Sequence, residues 1–210
     1  VTVNLLTGMG GGSTNNDSYG DVYTKIENVT GSDQRDLIIG DAGDNVLRGL
    51  DGGDTLEGGA GADVLNGNGG TDMAVYSNSA EGVNISLASG FASGGDATGD
   101  TLTSIESVQG SAFDDILSGA SGDNYLGGGD GNDILRGRLG ADLLDGGGGV
   151  DIADYAEWAC PNIHFIEQFI SGNCLFAKRE KRKISHHKAS ATPWNTDDTN
   201  ESEQTEEPPH

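Results

Sequence analysis

The sequence predicts an all-β protein: two parallel β-solenoids of five nonapeptide repeats each, joined by a short-strand linker and followed by an atypical C-terminal tail expected to be disordered. Three observations carry this. Composition is the first: of 210 residues, 36 are Gly, and 34 Asp or Glu face only 11 Lys or Arg, a net charge of −23. With 34% hydrophobic and 6% aromatic residues there is too little large apolar surface for one conventional core. Distribution is the second: residues 1–155 hold 35 of the Gly, 25 acidic and five basic residues, while both Cys, both Trp and all four His lie beyond. The third is a period of nine, which separates this chain from collagen, where Gly recurs every third residue, and from a flexible Gly-rich spacer, which has no reason to keep a phase.

Residues 1–30 form a leading linker with entering strands. The alternation Val1, Val3, Leu5 predicts a short strand, and Ile26 with Val29 brings the chain to the first array. That array, 31–76, reads GSDQRDLII, GDAGDNVLR, GLDGGDTLE, GGAGADVLN and GNGGTDMAV. Residues 77–109 repeat the leader, with Val83, Ile85 and Leu87 as a strand and Ile105 with Val108 as the approach. The second array, 110–155, reads GSAFDDILS, GASGDNYLG, GGDGNDILR, GRLGADLLD and GGGGVDIAD. Position 1 is Gly in all ten repeats, and position 4 is Gly in all but two, where Gln34 and Phe113 stand. Position 6 is Asp except at Asn45 and Asn124. Position 8 is apolar throughout: Ile38, Leu47, Leu56, Leu65, Ala74, Leu117, Leu126, Leu135, Leu144 and Ala153.

Each unit divides into a six-residue turn and a three-residue strand. Gly at positions 1 and 4 allows φ > 0 and tight turning without a Cβ clash. In the strand, position 8 points to one face and positions 7 and 9 to the other. So short a strand needs parallel neighbours, and two nonapeptides make one coil with a thin ladder of position-8 side chains inside. The turns stack Asp36, Asp54 and Asp72 in one column and Asn45 with Asp63 in the other. Carboxylates a strand spacing apart (~4.8 Å) repel by about 3 kcal/mol at an effective dielectric of ~20. A divalent cation between layers reverses that sign, and hard oxygen ligands without His or Cys suit calcium better than magnesium.

These residues strongly resemble the repeats-in-toxin (RTX) family, whose motif is G-G-x-G-x-D-x-U-x with U a large apolar residue. The resemblance covers about 90 residues of array and, with the linkers, about 155 of 210. It implies a parallel β-roll that binds Ca2+ in its turns and folds after export from a bacterial cell, in an extracellular setting reached by type I secretion. It further implies that each ion is shared by a position-6 side chain and backbone carbonyls of the turn two repeats away. Carried over, the ligands are Asp36, Asp54, Asp63, Asp72, Asp115, Asp133, Asp142 and Asp151, with Asn45 and Asn124 as weaker members and Gly49, Gly58, Gly128 and Gly137 as glycines of the sharing turns. About three full sites per roll follow, the terminal repeats being half-built. Gln34 and Phe113 suggest N-terminal caps with weakened or absent sites. Ala74 and Ala153 shorten the ladder where each coil ends, and Tyr76 and Tyr155 follow at the same offset, read as simple packing or as closing the apolar end.

The remaining acids are weaker candidates. Asp41, Asp44, Asp51, Asp114, Asp123 and Asp130 lie in turns off position 6 and read as solvated charge; Asp33, Asp96, Asp100, Glu27 and Glu106 rank lower still. At position 7, Ile116, Ile134 and Ile152 read either as exposed strand propensity or as a docking face for a neighbour. No G-x-S-x-G, H-E-x-x-H, P-loop, G-x-G-x-x-G or EF-hand pattern occurs, so the fragment reads as non-catalytic. A catalytic or adhesive domain outside this chain is the implied neighbour, since RTX rolls accompany secreted proteases, lipases, alginate epimerases, cytolysins and adhesins. The acidic balance argues against nucleic acid and anionic membranes. No run of ~18 apolar residues predicts a transmembrane segment. The chain opens at Val1 without an initiator Met or an apolar leader, as a piece of something longer would. In the tail, 156–210, Cys160 and Cys174 could pair, and Lys178, Arg179, Lys181, Arg182, Lys183 and Lys188 form a basic run read as solvated.

Overall fold

The computed structural model describes residues 1–12 and 18–156, all within one unit, Val1–Glu157. The cysteine pair and the basic run of the tail lie outside the described residues. The array strands begin where the three-residue segments predict them, but Val46–Gly52, Val64–Gly70, Tyr125–Asp130 and Leu143–Gly148 run on into the following turn, whose backbone also pairs with the next coil. β1 (Thr2–Asn4), β2 (Met9–Gly10) and β3 (Asn28–Thr30) lead into the first array. β4 (Leu37–Ile39), β5 (Val46–Gly52), β6 (Thr55–Glu57), β7 (Val64–Gly70) and β8 (Met73–Val75) each begin at position 7 of a repeat. The linker supplies β9 (Asn84–Ser86), β10 (Phe91–Ser93), a 3-10 turn at Gly95–Ala97, β11 (Thr101–Thr103) and β12 (Ser107–Gln109). β13 (Ile116–Ser118), β14 (Tyr125–Asp130), β15 (Ile134–Arg136), β16 (Leu143–Gly148) and β17 (Ile152–Ala153) belong to the second array. Among the described residues there is no α-helix.

Within each array successive strands alternate between two sheets, so strands 18 residues apart pair in parallel: Leu37 with Thr55, Val46 with Val64, Tyr125 with Leu143. This is the parallel β-roll that the repeats predict. Both arrays contribute to the same two sheets. One runs β16-β14-β12-β8-β6-β4-β1-β2, the other β17-β15-β13-β9-β10-β11-β7-β5-β3. The linker therefore does more than connect. β12 sits between β8 and β14 in register, with Val108 between Ala74 and Leu126. In the other sheet β11 stacks on β7 and β9 on β13, with β10 antiparallel between them.

The position-8 side chains meet between the sheets. Ile38, Leu47, Leu56, Leu65, Ala74, Leu117 and Leu126 are fully buried, joined by Val83, Ile85, Leu102 and Val108 of the linker. The ladder opens at the last coil, where Leu144 is half-buried and Ala153 exposed. At position 7, Ile116, Ile134 and Ile152 are register partners of one another. Ile116 and Ile134 are half-buried by that stacking, and Ile152, at the sheet edge, is exposed. Tyr76 is buried, its hydroxyl donating to Asp100 at 2.9 Å, whereas Tyr155 is exposed.

Candidate metal centres

Each turn folds its position-6 carboxylate back over the position-1 glycine of the same repeat. A Cβ on Gly49, Gly58, Gly67 or Gly128 would collide with the Oδ2 of Asp54, Asp63, Asp72 or Asp133 respectively. Beside Gly49 and Gly128 the same volume receives the carbonyl oxygen of Gly67 and Gly146, two repeats on, and four more position-1 spaces are approached in the same way. Gly49 O approaches Gly31, Gly58 O approaches Gly40, Gly128 O approaches Gly110, and Gly137 O approaches Gly119. Position 1 is therefore glycine for want of space. None of the ten has positive φ, which corrects half of the sequence expectation. Positive φ belongs to position 4, at Gly52, Gly61, Gly70, Gly131, Gly140 and Gly149, and to position 2, where Leu50, Asn68 and Arg138 tolerate it.

The other carboxylate oxygen ties the coils together. Asp54 Oδ1 accepts from the Asp36 amide, Asp63 Oδ1 from Asn45, Asp72 Oδ1 from Asp54, and Asp133 Oδ1 from Asp115, each at 2.8 Å. Asp142 and Asp151 accept from Asn124 and Asp133 at 3.2 and 3.1 Å. The second oxygens of Asp54, Asp63, Asp72 and Asp133 are shut off from solvent and meet no hydrogen-bond donor, charged or neutral. A buried carboxylate oxygen without a partner is costly enough to demand a counter-charge. Burial pushes the Asp63 carboxyl up to about 7, helped by the charges of Asp100, Asp44 and Asp41. Burial likewise raises Asp54, Asp72, Asp115 and Asp133, and takes Asp100 up to about 6.

The first repeat of each array is built differently. Asp36 accepts from the Ser32 amide and hydroxyl, at 2.5 and 2.9 Å, and from the Val1 nitrogen. Asp115 accepts from the Ser111 amide and hydroxyl, at 2.6 and 2.8 Å, and from the Val83 amide. Protein donors satisfy both carboxylates there, alongside Gln34 and Phe113 at position 4. In the second repeats, Asn45 Oδ1 accepts from the Asp41 amide and Asn124 Oδ1 from the Ala120 amide, at 2.8 and 2.7 Å. At the far end Asp142 is half-buried and Asp151 exposed.

Three features escaped sequence reasoning. Asp100 and Glu106 occupy position-6 places in the column although they lie in the linker: Asp100 Oδ1 accepts from the Asp63 amide at 2.8 Å and Glu106 Oε2 from the Asp72 amide at 2.9 Å. The second is a position-5 ladder, in which Asp44, Asp114 and Asp123 accept from the amides of Ala62, Asn132 and Ala141 at 2.9, 2.7 and 2.7 Å. The third is the serine cap at Ser32 and Ser111. Only the caps had a signal, Ser at position 2 coinciding with the loss of Gly at position 4.

Among the described residues no three His, Cys, Asp or Glu side chains converge on one point. An ion held in these turns would take one or two carboxylates and complete its shell with backbone carbonyls and water. That all-oxygen, mixed set fits calcium's flexible coordination. Orphaned carboxylate oxygens, glycine cradles and in-register parallel coils together have the character of a metal-binding repeat module. The family is the RTX calcium-binding nonapeptide repeat, whose model matches residues 25–56, 48–73, 100–135 and 127–155. The matched segments span half of the chain, which belongs to this family and is a calcium-binding repeat module of RTX type. No curated protein matches it. No helix among the described residues is long and apolar enough to cross a membrane.

Proposed function

We propose that this chain is the calcium-folded, non-catalytic module of a secreted bacterial protein, ordering after export and steadying a neighbouring catalytic or adhesive domain. The observation that carries the reading is the set of buried, unpartnered oxygens on Asp54, Asp63, Asp72 and Asp133. Calcium supplies the missing charge; the chain's own residues set where it sits. Asp54, Asp63, Asp72 and Asp133 form the stronger ligands; the Gly67 and Gly146 carbonyls share the ions of Asp54 and Asp133, while those of Gly49, Gly58, Gly128 and Gly137 serve the turns of Asp36, Asn45, Asp115 and Asn124. Asn45 and Asn124 contribute neutral oxygens. Asp142 and Asp151 make weaker, more hydrated places, and the capped Asp36 and Asp115 bind least. About three ions per array follow. Each site held at ten times its dissociation constant adds about 1.4 kcal/mol, so several sites match the stability of an ordinary domain.

Calcium titrations of the full chain, followed by circular dichroism, test this. Asp133→Ala raises the folding midpoint several-fold, because it removes the one carboxylate a buried ion would neutralise. Asp142→Ala raises it less, in keeping with its half-exposed place. Midpoints unchanged in both variants would refute the assignment.

A further inference from the structure

The carboxylate column does not stop where the first array stops. Asp72 ends that array, fully buried, with Oδ1 taken by the Asp54 amide and Oδ2 unpartnered. Within the array, the next contribution to such a turn would be a position-1 carbonyl and a position-6 carboxylate from the coil two repeats on. No such repeat follows Asp72. In its place stands the linker segment Ser104–Glu106. The Ser104 carbonyl oxygen and Asp72 Oδ2 border the same space beside Gly67, 2.2 and 2.3 Å from where a Cβ would stand. Ser104 reaches this with φ of 51°, as Lys25 does with 57° at the same place in the leading linker. Glu106 Oε2 accepts from the Asp72 amide at 2.9 Å, and the Glu106 and Ser107 amides return bonds to the Asp72 carbonyl at 3.1 and 2.9 Å.

We propose that Asp72, the Ser104 carbonyl and Glu106 form an additional divalent-cation site, outside the nonapeptide pattern, that carries the metal column from the first array into the linker. It rests on the calcium reading above and extends it to residues the motif does not contain. Two links of chain, Ser104 and Glu106, do what positions 1 and 6 do in a repeat, with the intervening turn left out. Fewer carbonyls are therefore on hand, and the ion keeps more water than one within an array. Glu is one methylene longer than Asp, and that reach lets its head span to the Asp72 layer from a shortened turn. Glu27, its counterpart in the leading linker, is exposed, and among the described residues the strand that follows it, β3, is the edge of its sheet.

Bound calcium per full chain, counted by equilibrium dialysis with circular dichroism as the check of folding, tests the site. Glu106→Gln keeps an oxygen for the Asp72 amide but removes the charge, and lowers the count at saturation by one; Glu27→Gln leaves it unchanged. A full count in Glu106→Gln, together with a reduced count in Asp133→Asn, overturns this site and leaves the calcium reading standing. Full counts in both overturn the reading and the site with it. If Glu106→Gln does not fold, anomalous scattering from terbium-loaded crystals of the unaltered chain decides. A peak between Asp72 and Glu106 supports the site, and peaks in the repeats with none there overturn it.

Discussion

In chelator at neutral pH the full chain should lose its β-sheet circular dichroism; calcium should restore it, and magnesium at equal concentration should not. The apolar interior is one large side chain per nine residues, such as Leu47 or Leu126, and each contributes about 2–3 kcal/mol. Against that stand four buried carboxylates, each with an oxygen facing nothing. Magnesium would have to shed water into a near-ideal octahedron that these mixed turns do not offer. Acid separates this account from ordinary destabilisation. Folding raises the carboxyls of Asp63 and Asp100 to about 7 and about 6, from about 3.9 in an unfolded chain. The metal-free fold thus binds more protons than the unfolded chain, and its stability rises as pH falls from about 7 toward 4. In chelator, moving from pH 8 to pH 5 should return part of the β signal, protons neutralising what calcium otherwise would. A signal already complete in chelator at neutral pH, or one that acid only diminishes, contradicts the mechanism.

Gly128→Ala should abolish calcium-induced folding of the second array, or raise its calcium midpoint more than tenfold. The added methyl would occupy the place of Asp133 Oδ2 and lie 2.7 Å from the Gly146 carbonyl oxygen, so the cradle itself is filled. Gly128 has no positive φ, and backbone strain plays no part in the loss. Gly122→Ala makes the opposite case. It stands at position 4, where the repeat almost always has Gly, yet its φ is not positive and a Cβ there meets nothing within 4 Å. It should be neutral or stabilising by about 0.5–1 kcal/mol, through the entropy of the unfolded chain. Calcium titrations and thermal melts of both variants check the pair; equal damage from the two would show that conformation, rather than space, governs these glycines.

Much of the fold was legible because the period of nine is a property of single residues in phase. Position 8 could be recognised as interior from Leu47 or Leu126 alone, and position 6 as a column from its acids. What a repeat leaves unstated is its relation to other coils. The reason for glycine at position 1 lies in a carboxylate five residues on and a carbonyl 18 residues on, and neither is visible in a composition. Asp100 and Glu106 were underrated because the linker completes its coils with a different number of residues. Their bonds to Asp63 and Asp72 span 37 and 34 positions, where those inside an array span 18. Ser32 and Ser111 show the converse. A hydroxyl beside the turn does locally what an ion does elsewhere, and there the sequence departs from its own pattern.

Within each array the hydrogen bonds and carboxylate ties between coils run along the length of the roll, joining residues 18 apart. Tension applied to the two ends would load those ties one layer at a time, like peeling tape. Every coil that yields would free 18 residues, up to about 60 Å of slack at ~3.4 Å each. Optical-trap stretching should read a staircase of such steps whose force climbs with dissolved calcium; a single rupture indifferent to calcium would mean that the ions bear no strain.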